Sequence, residues 1–327
     1  MPVATVARNT RGSLVIYEQS DIQTPATGAV NGMKAHLISE TIGPDQPLQE
    51  SKVVNNTRNP VDPYQAGLAI KGNMTVQGDP IGIGFYLKWM IGAPTTTGAG
   101  PYTHVFKVNA TSVLLALTLE RIFPDIAQVF RATGVKFDKF SFDASRGSCL
   151  EIPIEVIGLN ETRFVATLDS APYEPSKANK LLSGTIVMQE AGVGFALCKK
   201  FSSSYTNEMQ GMDVIGNNNQ FYDVIEGIGR PTGSFEMYVK DGVIFDKGLT
   251  VAKSSLKITF TGQDGTSTVE FYWPEVKFMA FAPEIKGGVG PIPVTVAFHA
   301  FSDVDASATA MQVTLVNAFP SYASIPA

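Results

Sequence analysis

Apolar and polar residues alternate over many short stretches of this chain. Leu115, Leu117 and Leu119 are spaced two apart, as are Leu256, Ile258 and Phe260, and Ile154 and Val156 flank Glu155. A period of two puts one set of side chains on each face of a sheet, so these stretches predict strands with one wetted face. Few stretches follow a helical period. Asp79 suits a helix cap, Pro80 suits the first helical position, and Ile81, Phe85 and Trp89 recur every four residues until Gly92 ends the pattern. A weaker helix is predicted within Asp241 to Lys253, where Val243, Phe245 and Leu249 share a face but Gly248 interrupts. The predicted fold class is mainly β with short helices, arranged as β-sandwich or partial-barrel units carrying one short helix each.

The pattern repeats. Val135-Lys136-Phe137-Asp138-Lys139-Phe140 is echoed 141 residues later by Val276-Lys277-Phe278-Met279-Ala280-Phe281. The same offset carries Leu115, Leu117 and Leu119 onto Leu256, Ile258 and Phe260, and an offset of 140 carries Ile152-Pro153-Ile154 onto Ile292-Pro293-Val294. Upstream, Gly72, Met74 and Val76 match Gly233, Phe235 and Met237 at an offset of 161, and the Thr- and Gly-rich segment Ala93 to Val113 accounts for the difference. Val53-Val54-Asn55-Asn56 resembles Val214-Ile215-Gly216-Asn217, and Ser13 to Glu18 resembles Gly184 to Glu190. Collinear matches of this kind predict two tandem copies, residues 1–170 with an insertion at 93–113 and residues 171–327. The bridge from Asp169 to Ser176 has the Pro and Ser content of a linker.

Composition narrows the function. Only 17 % of the 327 residues are charged while 44 % are hydrophobic, too little charge to cover an isolated molecule, so much of the surface is expected to meet other protein. A net charge of −5 argues against gripping nucleic acid through its phosphates. Cys149 and Cys198 lack any paired spacing and read as reduced core residues. No stretch is long and apolar enough to span a bilayer, and the amino terminus carries no signal-peptide pattern, which predicts a chain that starts soluble in a cytoplasm. No metal site or cofactor loop is expected: Gly82-x-Gly84 and Gly227-x-Gly229 read as turn or packing glycines. The three histidines, His36, His104 and His299, all lie in strand-like runs, and His299 between Phe298 and Ala300 reads as a structural histidine. Catalysis is not expected. A carbohydrate-binding β-sandwich would need Trp89, Tyr272 and Trp273 in an exposed platform, whereas their spacing suggests core positions.

The repeated strands resemble the tail tube (major tail) proteins of long-tailed bacteriophages, in the form where two tube domains share one polypeptide. The resemblance is clearest where Gly229-Arg230-Pro231-Thr232-Gly233-Ser234 leads into a strand and helix, followed by Ser255 to Phe260, Phe271 to Phe278 and Ile292 to Ala300. The first copy departs from the pattern in its Ala93 to Val113 insertion. The resemblance implies a non-enzymatic structural virion protein, assembled in the bacterial cytoplasm and resident in the virion tail. It implies rings, as homotrimers with pseudo-sixfold symmetry, whose sheets join edge to edge and stack into a hollow conduit for genome ejection. The implied partners are other copies of the chain and the tail terminator, tape measure and distal tail proteins, with DNA passing without tight binding and no membrane involved. Another ring protein of the tail, a terminator or sheath-like subunit, is the alternative. An acidic or neutral lumen is expected, with Glu120, Glu151, Glu155 and Glu270 as lumen-facing candidates because they sit on polar strand faces. Ring stacking is expected to use the polar stretch Glu40 to Gln65 and its counterpart Ser202 to Tyr222, with Gln49, Glu50, Asn55, Asn56, Arg58, Asn217 and Asn218 as contact candidates.

Overall fold

A computed structural model describes residues 6–28, 30–54, 56–108, 113–195, 197–285, 290–303 and 309–326, with backbone alone at 183–185. The first half contains strands β1 (Ser13–Glu18), β2 (Met33–Lys34), β3 (Leu37–Glu40), β4 (Gly43–Asp45), β5 (Leu48–Gln49), β6 (Tyr64–Gln65) and β7 (Ala69–Gln77), then helix α1 (Gly82–Ile91). It continues with β8 (Thr95–Thr97), β9 (Tyr102–Lys107), β10 (Leu117–Phe123), β11 (Gln128–Ser145), β12 (Glu151–Gly158) and β13 (Asn160–Phe164). The second half contains β14 (Leu181–Glu190), β15 (Val193–Gly194), β16 (Cys198–Thr206), β17 (Gln210–Asp213), β18 (Phe221–Ile225) and β19 (Arg230–Tyr238), then helix α2 (Val243–Thr250). Strands β20 (Lys253–Gly262), β21 (Thr268–Phe278), β22 (Pro293–Ala300) and β23 (Gln312–Asn317) complete it. Among the described residues, no helix is long and apolar enough to cross a membrane.

The ladders of the two halves follow one order, all antiparallel. In the first, β1 pairs β10, β10 pairs β11, β11 pairs β12 and β13, β12 pairs β7, and β7 pairs β3 and β4. In the second, β14 pairs β20, β20 pairs β21, β21 pairs β22 and β23, β22 pairs β19, and β19 pairs β16. Even the irregularities coincide: the register shifts between Leu117 and Leu119 and again between Ser254 and Leu256, and between Leu37 and Ser39 and again between Cys198 and Lys200.

The ladders also correct two sequence matches. Gly72 stands opposite Val156 and Gly233 opposite Phe298, so Val156 corresponds to Phe298 at an offset of 142, not 140. Leu119 opposite Ala132 corresponds to Leu256 opposite Trp273, an offset of 137, not 141. Both slips are even, and a strand slipped by an even number keeps the same side chains on the same face. Apolar alternation therefore could not detect them.

One continuous core joins the halves. Phe142 packs on Phe260 and Phe271 with ring centroids 5.8 and 4.5 Å apart, and Phe201 lies 5.4 Å from Trp273. Trp89 and Trp273 are wholly buried, as their spacing suggests. Helix α1 begins at Gly82, two residues after the expected first position at Pro80, and Asp79 Oδ1 accepts the Ile81 and Gly82 amides at 3.0 and 2.6 Å. Every residue of α1 is buried, and Gly84 is required because a Cβ there would lie 2.2 Å from the Tyr322 ring. Each helix is tied to the first strand of its half by an ion pair. Lys88 Nζ and Trp89 Nε1 both donate to Glu18 Oε1, at 2.6 and 2.7 Å, and Lys247 pairs with Glu190.

Three expectations change. The Asp169–Ser176 bridge is docked, not a loose linker, because Tyr173 donates its amide to Gly32, accepts that of Lys34 and packs on Phe85. The 93–113 insertion contains the β8–β9 hairpin, which extends the second half's sheet by pairing β9 with β23. His299 projects to solvent on β22, while the buried histidines are His36 and His104.

His36 Nδ1 lies 3.2 Å from Asp79 Oδ2 and its Nε2 lies 2.9 Å from the Pro175 carbonyl. The bond to Asp79 raises the His36 pKa, whereas burial lowers that of His104. A raised folded-state pKa stabilises below about 6.5 and that contribution fades as pH rises through the folded value. His36→Gln is therefore expected to remove part of the loss of urea stability between about pH 6 and 8. NMR titration of the wild type is expected to place His36 above and His104 below the ordinary midpoint.

Candidate functional site: a polar sheet face and two hairpins

The long strand β11 makes the central connection. Its first part pairs with β10, and its last part, Lys139–Ser145, leaves β10 and pairs with β16 of the second half, Lys139 opposite Thr206 through Ser145 opposite Lys200. The resulting sheet runs β3/β4–β7–β12–β11–β16–β19–β22–β21 across both halves. Its inner face carries Met74, Ile154, Phe142, Phe201, Phe235 and Val296, all buried. Its outer face carries Asn73, Thr75, Ser141, Ser202, Ser204, Thr232 and Ser234, none of them buried.

Four cations on this outer face are paired within it, whereas exposed Lys277 on β21, opposite His299, lies over the Phe301 ring. Lys71 meets Asp45 at 2.9 Å, Lys139 meets Glu155 at 2.8 Å, Lys200 meets Asp143 at 3.4 Å, and Arg230 pairs with Glu208. Exposed pairs of this type add little stability. Their consequence is electrostatic: these four cations are each neutralised by a close carboxylate on a hydroxyl-rich face.

The structure separates the four acidic candidates. Glu151 is exposed and Glu155 partly so, both on this face. Glu270 lies on β21 beside Lys257 at 3.2 Å, on the outer side of the β20–β21–β23 sheet, so it does not join them. Glu120 requires a correction: it is fully buried. Arg131 contacts its Oε1 at 2.9 and 2.7 Å, and Tyr17 and Thr167 hydroxyls donate to Oε2 at 2.8 and 2.6 Å. Alternation placed Glu120 on a polar face, but the segment at 167–169 lies against that face, and Thr167 and the Leu168 amide join Tyr17 and Arg131 as partners from residues distant in sequence. Arg131 in turn lies under the Phe164 ring, 3.8 Å from its centroid.

Two hairpins leave one end of the same sheet. β5 pairs β6 around the 50–63 loop, and β17 pairs β18 around the 214–220 tip. The predicted counterpart loop is shorter than expected, since Ser202–Thr206 belongs to β16. Gln49, Glu50, Asn56, Arg58 and Asn218 are exposed, Asn217 is partly buried and holds the Gln220 and Phe221 carbonyls, and Asn55 lies outside the described residues. The hairpins meet: the Leu68 amide donates to Asn219 at 2.6 Å. The second is anchored to β11, because Lys136 Nζ donates to the Val224 carbonyl and Glu226, each at 2.8 Å. Apolar side chains missed by the polar reading stand exposed here, Val53, Val54 and Tyr64 on the first hairpin and Ile215, Tyr222 and Ile225 on the second. Exposed apolar groups gathered in one place mark a contact surface.

The chain matches the phage tail tube protein family over residues 9–300, and it belongs to that family. It is a structural, non-enzymatic protein of the virion tail, and the family implies self-polymerisation. No curated protein matches the chain.

Removal of a buried partner separates Glu120 from the exposed acids. Glu120→Ala strands Arg131 and is expected to cost about 3–5 kcal/mol in denaturant unfolding. Glu151→Ala is expected to stay within about 0.5 kcal/mol of the wild type.

Proposed function

We propose that the chain is a tandem of two tube domains, residues 1–170 and 171–327, and that three copies close a pseudo-sixfold ring. The recurring ladder order, with coincident register shifts, supports two equivalent wall units per chain. Rings stack into a tube whose lumen is lined by the hydroxyl-rich outer face, because the opposite face is consumed by the core and α1. Glu151 and Glu155 are lumen groups in this reading; Glu120 is not.

The pairing of the lumen-face cations carries the proposal. DNA affinity depends on unpaired Lys and Arg reaching phosphates, and about 6 to 10 such contacts already bind strongly. Two cations freed per copy, repeated around every ring, would reach that range. With Lys71, Lys139, Lys200 and Arg230 each held by a neighbouring carboxylate, too few free cations remain on this face to capture DNA as it slides through. The two hairpins, carrying exposed apolar side chains at one end of the sheet, contact the next ring. The tail terminator and distal tail proteins would cap the two ends, with the tape measure inside during assembly.

Concentrated protein is expected to form open hollow tubes in electron micrographs, with a ring mass of three chains; six chains per ring would overturn the trimer. Glu155→Gln combined with Asp143→Asn frees Lys139 and Lys200. Virions carrying the pair are expected to eject DNA more slowly, with the delay relieved by salt; an unchanged rate would remove this face from the lumen. Val54→Asp with Ile215→Asp is expected to leave single rings intact and shift sedimentation away from tubes.

A further inference from the structure

The β11–β16 ladder joins the first half to the second within one chain, and among the described residues the corresponding segment at the far end of the same chain lies in no ladder. By the ladder correspondence, Lys139–Ala144 of β11 matches Ala280–Ile285, and β16 matches the β3–β4 line at an offset of 161. Ala280–Ile285 follows β21 outside any strand, with Phe281 packed on Phe245 and Ile285 94 % exposed. Among the described residues, β3 and β4 form ladders with β7 alone, so their outer edge is open. Resting on the ring reading above, we propose that Ala280–Ile285 of one copy adds as an antiparallel strand to the β3–β4 edge of a second copy. Transferring the internal register places Ala280 opposite Asp45 and Ile285 opposite Glu40.

The backbone chemistry of the two edges is complementary. In the internal ladder the Asn207 amide donates to the Asp138 carbonyl at 2.7 Å, so alternate residues from Asn207 back to Phe201 point toward β11. Their counterparts on the open edge are Gln46, Pro44, Ile42 and Glu40. Two of the facing positions are prolines, which donate nothing. They are offset in the proposed register: the Pro44 carbonyl meets the Phe281 amide, and the Ile42 amide meets the Pro283 carbonyl. No pair would oppose two residues lacking N–H.

The edge is guarded in the single chain. Glu40 Oε2 takes the Ile42 amide at 2.9 Å, and Pro44 offers no donor, two features that blunt indiscriminate strand addition. The correct strand exchanges Glu40's carboxylate for a backbone carbonyl. Because the donor lies at the end of the second half and the acceptor in the first, the contact is head-to-tail, the geometry that closes rings.

Disulfide trapping tests the register in the full chain. Gly43→Cys adds a side chain where no atom lies within 4 Å, and its proposed partner is Ala282. Facing positions of an antiparallel pair lie within disulfide reach, whereas a two-residue slip exceeds about 7 Å. Assembled G43C/A282C protein is expected to form covalent multimers on oxidation, while G43C/A280C and each single variant, which retain the native thiols, stay monomeric on denaturing gels. Ile285→Pro, at an exposed position, is expected to leave the folded monomer intact and reduce ring yield at least several-fold. Wild-type tubes in which G43C/A282C fails to cross-link, or cross-links no better than G43C/A280C, would overturn this contact while leaving the tube reading standing. Wild-type protein that forms neither rings nor tubes would overturn both.

Discussion

The structure depends on how β11 satisfies its backbone. Over eighteen residues it serves four partners, β10, β12, β13 and β16, and passes from the sheet of the first half into that of the second. A strand must find a partner for every inward N–H and C=O along both sides. When β10 ends, the remaining side of β11 is filled by β16, and this exchange merges the two halves into one sheet. The shared core follows, because Phe140 and Phe142 on the extension of β11 come to lie against Phe271 from the other half.

The same exchange separates two kinds of charge. Where a sheet face is covered by another segment of the chain, an acid survives only with full compensation, and Glu120 has Arg131, Tyr17, Thr167 and the Leu168 amide around it. Where the face stays wet, carboxylates instead pair with neighbouring lysines in water. The first arrangement is structural. The second leaves a polar surface on which Lys71, Lys139, Lys200 and Arg230 are paired, the feature on which the proposed lumen role rests.

Small fixed features set the limits of each element. The Asp79 carboxylate both caps α1 and holds His36, linking the helix start to β2–β3 and, through Pro175, to the docked bridge. The close fit of Gly84 on Tyr322 brings the carboxyl-terminal segment over α1, and Asn317 donates to the Pro80 carbonyl at 2.6 Å beneath it. The first half's helix is thereby completed by residues from the end of the chain, so the segment from Asn317 onward is a component of the fold.

Strands, their faces and the capping of α1 by Asp79 were legible in the sequence because they are local: alternation needs only neighbours two apart, and a cap only the next three residues. Recurring apolar patterns were legible for the same reason, and the ladders of the two halves follow the same order. Register was not, because apolar alternation is unchanged by an even slip, as Val156 with Phe298 shows. The burial of Glu120 and the exposure of His299 were decided by which strands cover which face. The union of Lys139–Ser145 with β16 depended on long-range strand pairing. The amino-acid order determined which residues could form a wall; the tertiary structure decided which side is wet and which edge remains open, because hydrogen-bond partners across a sheet come from anywhere in the chain.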